Sequence, residues 1–371
     1  MRLFVCAAAL FGLSFFASPV RAQEQGKVLI TEDFESGYTG WSVLGDAARL
    51  SIATDPEYVK SGKASLKYEY PLQPGELSAL VRTVEAAPPT DMKTIRFWAK
   101  ASGRVLLVVA LDEHGGGRYI AQAFLPSGTW QQVELSLSDF VLSTGKDDPK
   151  DPNGKLDIDK VASLGFIDMS QILISMGDPD FLSLLGLELG QRTIYIDLLR
   201  AESTSLPSPA ANPNEIVIDS FIRPFLGWFF TGAVEAQLTT GEPLKVRGMK
   251  MSFVAEEGKI AAAVRMLTPG KLASASALCL TAAADKATTL LVQVEETSGG
   301  KYNGFVALED GRVVKEATIK FSEMTASDDS KDDNGKLDPG QIKQLVLIDG
   351  AFLTGSPGRN TLWVGNVRAR R

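Results

Sequence analysis

Apolar and polar residues alternate with a period of two along much of this chain. Leu66-Lys67-Tyr68-Glu69-Tyr70, Ile95-Arg96-Phe97 and Val133-Glu134-Leu135-Ser136-Leu137 each place apolar side chains on one face and polar ones on the other, the signature of a half-buried strand. Val105 to Leu111 is a continuous apolar run of strand length, which reads as a strand buried on both faces, and Leu290 to Val294 is its shorter counterpart. Ser61-Gly62, Gly115-Gly116-Gly117 and Ser127-Gly128 break the runs at strand-length intervals, because glycine and serine favour tight turns. The pattern predicts an all-β chain built as antiparallel sandwich.

Near the middle, Ser203 to Asn214 carries three prolines among small polar residues, a composition that keeps a segment out of regular structure. The two sides of this linker resemble each other. Phe34 is followed seven residues later by Trp41, and Phe221 by Trp228; Leu80-Val81-Arg82 answers Ala263-Val264-Arg265. Glu113 and Tyr119 flank a glycine turn, as do Glu296 and Tyr302. Asp148–Asp157 and Asp329–Asp338 share eight of ten residues without a gap, and Ile194-Tyr195-Ile196 is matched by Leu362-Trp363-Val364. The expected organisation is a tandem pair, a first domain over 23–202 and a second over 215–371, each long enough for its own core. The first copy carries an insert, since Asp168 to Asp197 spans 29 residues where Asp349 to Gly365 spans 16. Asp178-Pro179 at its start and Gly186 at its end predict a short apolar helix there. That apolar stretch, about residues 172–190, either covers its own sandwich or offers a surface to a protein partner.

The amino terminus changes the compartment. Arg2, an uncharged apolar run over Leu3 to Ala17, and small residues at Val20 and Ala22 read as a secretory signal peptide over 1–22. The run is shorter than the roughly 20 residues of a membrane span, and no later run is long and apolar enough to be one. Cleavage would leave 36 basic against 45 acidic residues, net −9. That acidity argues against nucleic acid as a partner, and the export signal implies a periplasmic, cell-surface or extracellular protein. Cys279 is then the single cysteine, read as a small buried hydrophobe, and His114 the single histidine.

Further motifs carry a resemblance. They are Glu32-Asp33-Phe34-Glu35 before Gly40-Trp41, Ser61-Gly62-Lys63-Ala64-Ser65-Leu66, Ile95 to Lys100, Gly128-Thr129-Trp130-Gln131-Gln132-Val133, Leu156-Asp157, and Ile194-Tyr195-Ile196-Asp197. In this order they resemble galactose-binding-like jelly rolls of the carbohydrate-binding-module type, and are similar to the domain of a respiratory complex I assembly factor. The resemblance covers nearly all of 27–202 and is weaker over 215–371. It implies two jelly-roll sandwiches, with a structural Ca²⁺ near the first strand, the loop after it and the last strand. The residues implied as its ligands are Asp33 or Glu35, the Lys63 carbonyl and Asp197. In the second copy Gly365 stands for Asp197, with Asn366 adjacent.

Sugar recognition needs an aromatic platform and polar neighbours. Trp98 alternates away from Ile95 and Phe97, on the side of Arg96 and Lys100, and Tyr119 and Arg118 follow the glycine turn; Trp98, Arg96, Tyr119 and Arg118 are the candidate ligand residues. Trp41, Trp130, Tyr68 and Tyr70 are expected in the core. Cys279 is aligned with Trp98, so the second copy should lack the platform. The Asp151-x-Asn153-Gly154 loop has part of an EF-hand pattern, but Pro149 and Lys160 occupy positions that need carboxylates; a polar turn or an irregular Ca²⁺ site using Asp148, Asp151, Asn153 and Asp157 remains open. There is no nucleophile elbow, phosphate loop or histidine cluster. The reading is a non-enzymatic carbohydrate-binding protein; a structural or protein-binding role through the insert is the rival, and a pair of carboxylates acting on glycosides a third.

Overall fold

The computed structural model describes residues 27–145, 147–176, 189–207, 212–223, 225–255, 261–332, 334–352 and 358–371. The signal segment 1–22 and the helix expected over 178–186 lie outside the described residues, as do residues 208–211 of the linker.

The chain is all-β, two antiparallel jelly-roll sandwiches in tandem. Sheet I runs β3 (Arg49–Ala53), β4 (Ser65–Leu72), β12 (Gly190–Glu202), β6 (Thr94–Ala101), β9 (Gln131–Ser136), with β1 (Val28–Glu32) beside β12. Sheet II runs β10 (Val141–Leu142), β8 (Arg118–Leu125), β7 (Val105–Glu113), β11 (Val161–Asp168), β5 (Ala79–Thr83), β2 (Trp41–Leu44). Sheet III runs β15 (Val234–Gly241), β16 (Val246–Ala255), β24 (Gly358–Arg370), β18 (Ala277–Ala284), β21 (Lys315–Lys320), with β13 (Glu215–Asp219) beside β24. Sheet IV runs β22 (Thr325–Ala326), β20 (Lys301–Leu308), β19 (Thr288–Glu296), β23 (Ile342–Asp349), β17 (Ala262–Met266), β14 (Trp228–Thr231). Every strand of the first sandwich has its counterpart twelve strands later, in the same sheet order. The duplicated motifs therefore occupy duplicated places.

Alternation places the core. Leu66, Tyr68, Tyr70 and Phe97 of sheet I are fully buried against Leu107 and Phe166 of sheet II. Trp41 packs between Phe34 and Phe166, with ring centroids 5.8 and 5.9 Å away, and Trp228 packs on Phe221 at 5.9 Å. Trp130 is half-buried, outside the core where the pattern placed it. The continuous run on β7 is buried except at half-buried Leu106. One helix that the pattern did not announce, α1 (Met169–Met176), follows β11 directly and packs on β7. Asp168 starts it, its Oδ1 accepting the Ser170 amide at 2.9 Å, as an N-cap carboxylate does.

The copies differ in one packing detail. An apolar cavity of about 320 Å³ opens in the first sandwich beside Val84, Pro88 and Met92. The Met92 amide bonds the Pro89 carbonyl as the Ala275 amide bonds that of Leu272, so Pro89 and Leu272 are counterparts. Leu272 is buried in the second core, whereas Pro89 is half-buried and its neighbour Pro88 lines the cavity.

The two sandwiches meet edge to edge. Ala123 of β8 forms an antiparallel bridge with Leu226, and the Gly227 amide donates to the Gln122 carbonyl at 2.9 Å. Phe124 belongs to the core of the second sandwich, edge-on to Phe230 at 4.9 Å, while Leu226 packs against the core of the first. Arg104 donates to the carbonyls of Gly232 and Val234, and Arg223 forms a two-pronged pair with Asp139.

Candidate functional site

The register of sheet I gathers the polar face predicted around Trp98. Trp98 lies opposite Asp197 on β12 and Gln132 on β9, and Lys100 lies opposite Tyr195. Trp98 is half-buried, neither core nor free. Lys60 places its ammonium 3.9 Å from the ring centroid. Beside it Tyr58 and Tyr195 stack at 4.5 Å, with the Lys100 ammonium 5.0 Å from the Tyr58 ring. Burial, then the neighbouring Tyr58, pushes the Tyr195 phenol up to about 12. Arg96 donates to Glu134 at 2.7 Å and to both oxygens of Glu202 at 2.9 and 2.7 Å. The result is a face that exposes parts of Trp98 and Tyr58, with Tyr195 and Lys100 buried beside them and hydrogen-bonding groups on either side.

Only half of the predicted ligand set shares this surface. Tyr119 points into the core, where its hydroxyl donates to Asp151. Arg118 lies on the outer face of sheet II, paired with Asp112 at 2.7 Å and Asp148 at 3.1 Å. Trp98 faces outward on β6 while Tyr119 faces inward on β8, so Tyr119 lies in the core and Arg118 on the opposite side of the sandwich from Arg96 and Trp98. Lys60, Tyr58, Tyr195 and Gln132 were not among the expected ligand residues; the pairing of β6 with β12 and β9 brings Tyr195 and Gln132 beside Trp98, and the bond of the Lys60 amide to Asp197 holds the segment that carries Tyr58 and Lys60 there.

The implied metal ligands converge on the loop 60–64. Asp197 Oδ2 accepts the amides of Lys60 and Ser61, both at 2.9 Å, and its Oδ1 accepts that of Leu198 at 2.7 Å. Glu35 Oε1 accepts the amides of Lys63 and Ala64 at 2.7 and 3.1 Å, while Asp33 only turns back on the Glu35 amide at 3.2 Å. Burial pushes the Asp197 carboxyl up, against the pull of those amides. A calcium ion wants six to eight oxygens. Here the loop presents amide hydrogens to both carboxylates, and among the described residues no three acidic, histidine or cysteine side chains are placed to hold a metal ion together. The donor set fits an amide clamp rather than a calcium cage. Chelation with EDTA is therefore expected to leave the melting temperature unchanged, whereas Glu35→Ala should lower it; a fall on chelation that Ca²⁺ reverses would overturn this assignment. In the second copy an apolar plug replaces the clamp, with Leu244 packed into the space that Gly365 leaves, beside Ala283 and Trp363.

The Asp-rich loops repeat down to single bonds. In the first, Asp151 takes the Tyr119 hydroxyl and the amides of Asn153 and Lys155, Asn153 Nδ2 donates to Asp157 at 2.8 Å, and the Asp157 amide reaches Glu113. In the second, Asp332, Tyr302, Asn334, Lys336, Asp338 and Glu296 make the same set. Lys160 Nζ closes on Asp157 at 2.6 Å, and Gln341 Nε2 on Asp338 at 3.1 Å. Side-chain donors meet the acids, so both loops are polar turns, with Gly154 and Gly335 at φ +67° and +66°.

Register also corrects the comparison of copies. Arg96 pairs with Arg200 and Trp98 with Asp197, whereas Cys279 pairs with Arg368 and Thr281 with Gly365. Thr281 thus stands at the place of Trp98, and Cys279 at that of Arg96. Cys279 is half-buried, 3.7 Å from the Thr318 hydroxyl, rather than in the core.

No protein-family model matches the chain, and no curated protein sequence matches it. Similar solved structures include a family 11 carbohydrate-binding module from Clostridium thermocellum in complex with a β-1,3-1,4-mixed-linked tetrasaccharide, at 16% identity and TM-score 0.36, over 49% of this chain and 98% of that one. Another is the CBM22-1–CBM22-2 tandem domain of Paenibacillus barcinonensis Xyn10C, at 13% identity and TM-score 0.30, over 93% and 97% of the two chains. A third is TmCBM61 with β-1,4-galactotriose, at 15% identity and TM-score 0.29, over 46% and 92%. These likenesses assign no ligand to this chain.

Proposed function

We propose that this is an exported, non-catalytic protein that binds carbohydrate on the outer face of sheet I, with Trp98 as the platform. The observation that carries the reading is the half-buried Trp98 ring, set among Lys60, Lys100, Gln132 and Arg96 beside the Tyr58–Tyr195 stack. An indole offers a pyranose a flat apolar surface, and the surrounding amines, amide and guanidinium supply donors for its hydroxyls. Lys60 covers the ring, but an exposed cation–π contact is worth only about 0.5–1 kcal/mol. A sugar can displace it and then take a hydrogen bond from the released ammonium. The charged pairs Arg96–Glu134 and Arg96–Glu202 fix the rim of the face. Export rests on the segment 1–22, and no helix among the described residues is long and apolar enough to cross a membrane.

The test is retention of the mature chain, residues 23–371, on a broad glycan panel. Trp98→Ala is expected to abolish the retained signal and leave the fold intact, because the ring is not part of the core. Lys60→Ala should retain binding. A folded protein that binds no glycan, or a Trp98→Ala variant that binds as the unaltered chain does, would sink the reading.

A further inference from the structure

Three buried side-chain nitrogens lack a hydrogen-bond partner among the described residues: Trp41 Nε1, Arg200 Nε and Arg265 Nε. Trp41 and Arg265 belong to one duplicated motif, and a single methylene group separates their fates. In the first copy Glu32 Oε1 accepts from Arg82 Nε at 2.9 Å, and the Trp41 indole is left unpaired. In the second, β13 puts Asp219 at the place of Glu32, since Glu32 pairs with Leu199 and Asp219 with Val367. The shorter Asp219 side chain accepts from Trp228 Nε1 at 2.7 Å and from the Phe221 amide at 2.6 Å. Arg265 Nε then lies 3.7 Å from Asp219, beyond a hydrogen bond. The remaining Arg265 contacts are to carbonyls, Met266 at 3.2 Å and Ile218 at 3.5 Å.

This under-paired guanidinium lines a pocket of about 190 Å³ at the junction of the sandwiches, with Asp139, Asp219, Arg223 and Lys271. Arg223 is held by Asp139, and among the described residues no hydrogen bond or ion pair joins Lys271 to another side chain. Lys271 is exposed as a residue and lines the same pocket as Arg265. Burial lowers the pKa of both cations, and at Lys271 the neighbouring guanidinium lowers it further. Three cations thus face two carboxylates in the pocket, where the half-buried Arg265 side chain keeps 14% of its surface exposed. A guanidinium held this way is completed by an anion with planar, paired oxygens.

We propose that the junction pocket is an anion site that takes a carboxylate, held by Arg265 and Lys271. It is separate from the Trp98 face and does not depend on the glycan reading. The carboxylate can belong to a small free acid or to a uronic acid, and the two are told apart by affinity.

The experiment titrates the mature protein with acetate, D-glucuronate and, as a neutral control, D-glucose, by calorimetry, with the Trp228 indole resonance as a local reporter. Both acids are expected to bind saturably and to shift that resonance, and glucose to do neither. Glucuronate binding at least tenfold tighter than acetate identifies a uronic acid as the source; equal affinities identify a free acid. Lys271→Ala, at an exposed residue, should weaken binding at least tenfold. Asp219→Glu should abolish it without unfolding the chain, because it recreates the Glu32–Arg82 pairing that the first copy already tolerates. Absence of saturable binding by either acid, or binding unchanged in both variants, overturns the proposal.

Discussion

Phe124→Ala is expected to cost about 3–5 kcal/mol of stability, the range for truncating a buried phenylalanine, and the loss should fall on the second sandwich although Phe124 belongs to a strand of the first. The side chain points away from its own core, because Ala123 and Leu125 take the inward places on β8. It is instead closed over by Phe230 and the rest of the second core, with only 6% of its surface exposed. The substitution therefore opens a cavity in a core whose wall comes from the other sandwich. Unfolding followed by Trp228, fully buried in the second core, should shift by the full amount. Leu226→Ala, only partly buried against the first core, should cost less. A Phe124→Ala loss within about 0.5 kcal/mol, the span of ordinary surface substitutions, would show that the sandwiches are independent units that merely touch. A large loss would make them one cooperative body, and would explain how a pocket at their junction can hold a fixed shape.

That junction was the least legible part of the chain. The strands announced themselves: the alternation over 66–70 and 95–97 became β4 and β6 with the expected faces inward. The duplicated Asp-Asn-Gly loops announced the repeat, and their bonds repeat as well. The Gly-Trp motifs also reflect one physical demand, since Gly40 and Gly227 have φ of +80° and +68° and a Cβ there would collide with Arg82 or Arg265. Long-range register was not legible. Cys279 was aligned with Trp98 by nearby sequence, but the bulge between Asp197 and Arg200, repeated in β24, fixes Thr281 there instead. Tyr119 looked like a neighbour of Arg118 at a site, but strand alternation drives adjacent residues to opposite faces. Helix α1 was not legible because its cap, Asp168, is also the last residue of β11, so strand and helix join with no turn between them. Phe124 reads as one more strand residue until the second sandwich is in place to bury it.

The duplicated loops permit a stricter prediction. Glu113→Ala and Glu296→Ala are expected to cost similar amounts, about 1.5–3 kcal/mol each, as for lost hydrogen bonds to a charged group, and the double variant should cost their sum. Both carboxylates are buried, at 8% and 0% exposure, beneath the loops they fasten. Each accepts one amide from the last aspartate of its loop, Asp157 or Asp338. The sites lie in different sandwiches and share no partner, which is the condition for additivity. The acids of the loop itself shift the other way from Glu113. The Tyr119 hydroxyl holds Asp151 below the usual carboxylate range, and the Tyr302 hydroxyl does the same for Asp332. A carboxyl whose folded pKa lies below its unfolded value stabilises the fold above that unfolded value, and the gain is lost as pH falls through the lowered one. Burial raises the Glu113 carboxyl, so its contribution is full below its unfolded pKa and is lost as pH rises through the raised one. Glu113→Ala should therefore steepen the loss of stability on acidification, since it leaves the Asp151 linkage unopposed. Stability measured by denaturant at pH 3 to 7 for both single variants and the double tests both parts. Unequal single costs, or a double variant that departs from the sum by more than about 0.5 kcal/mol, would mean that the repeated bonds do not carry repeated energies.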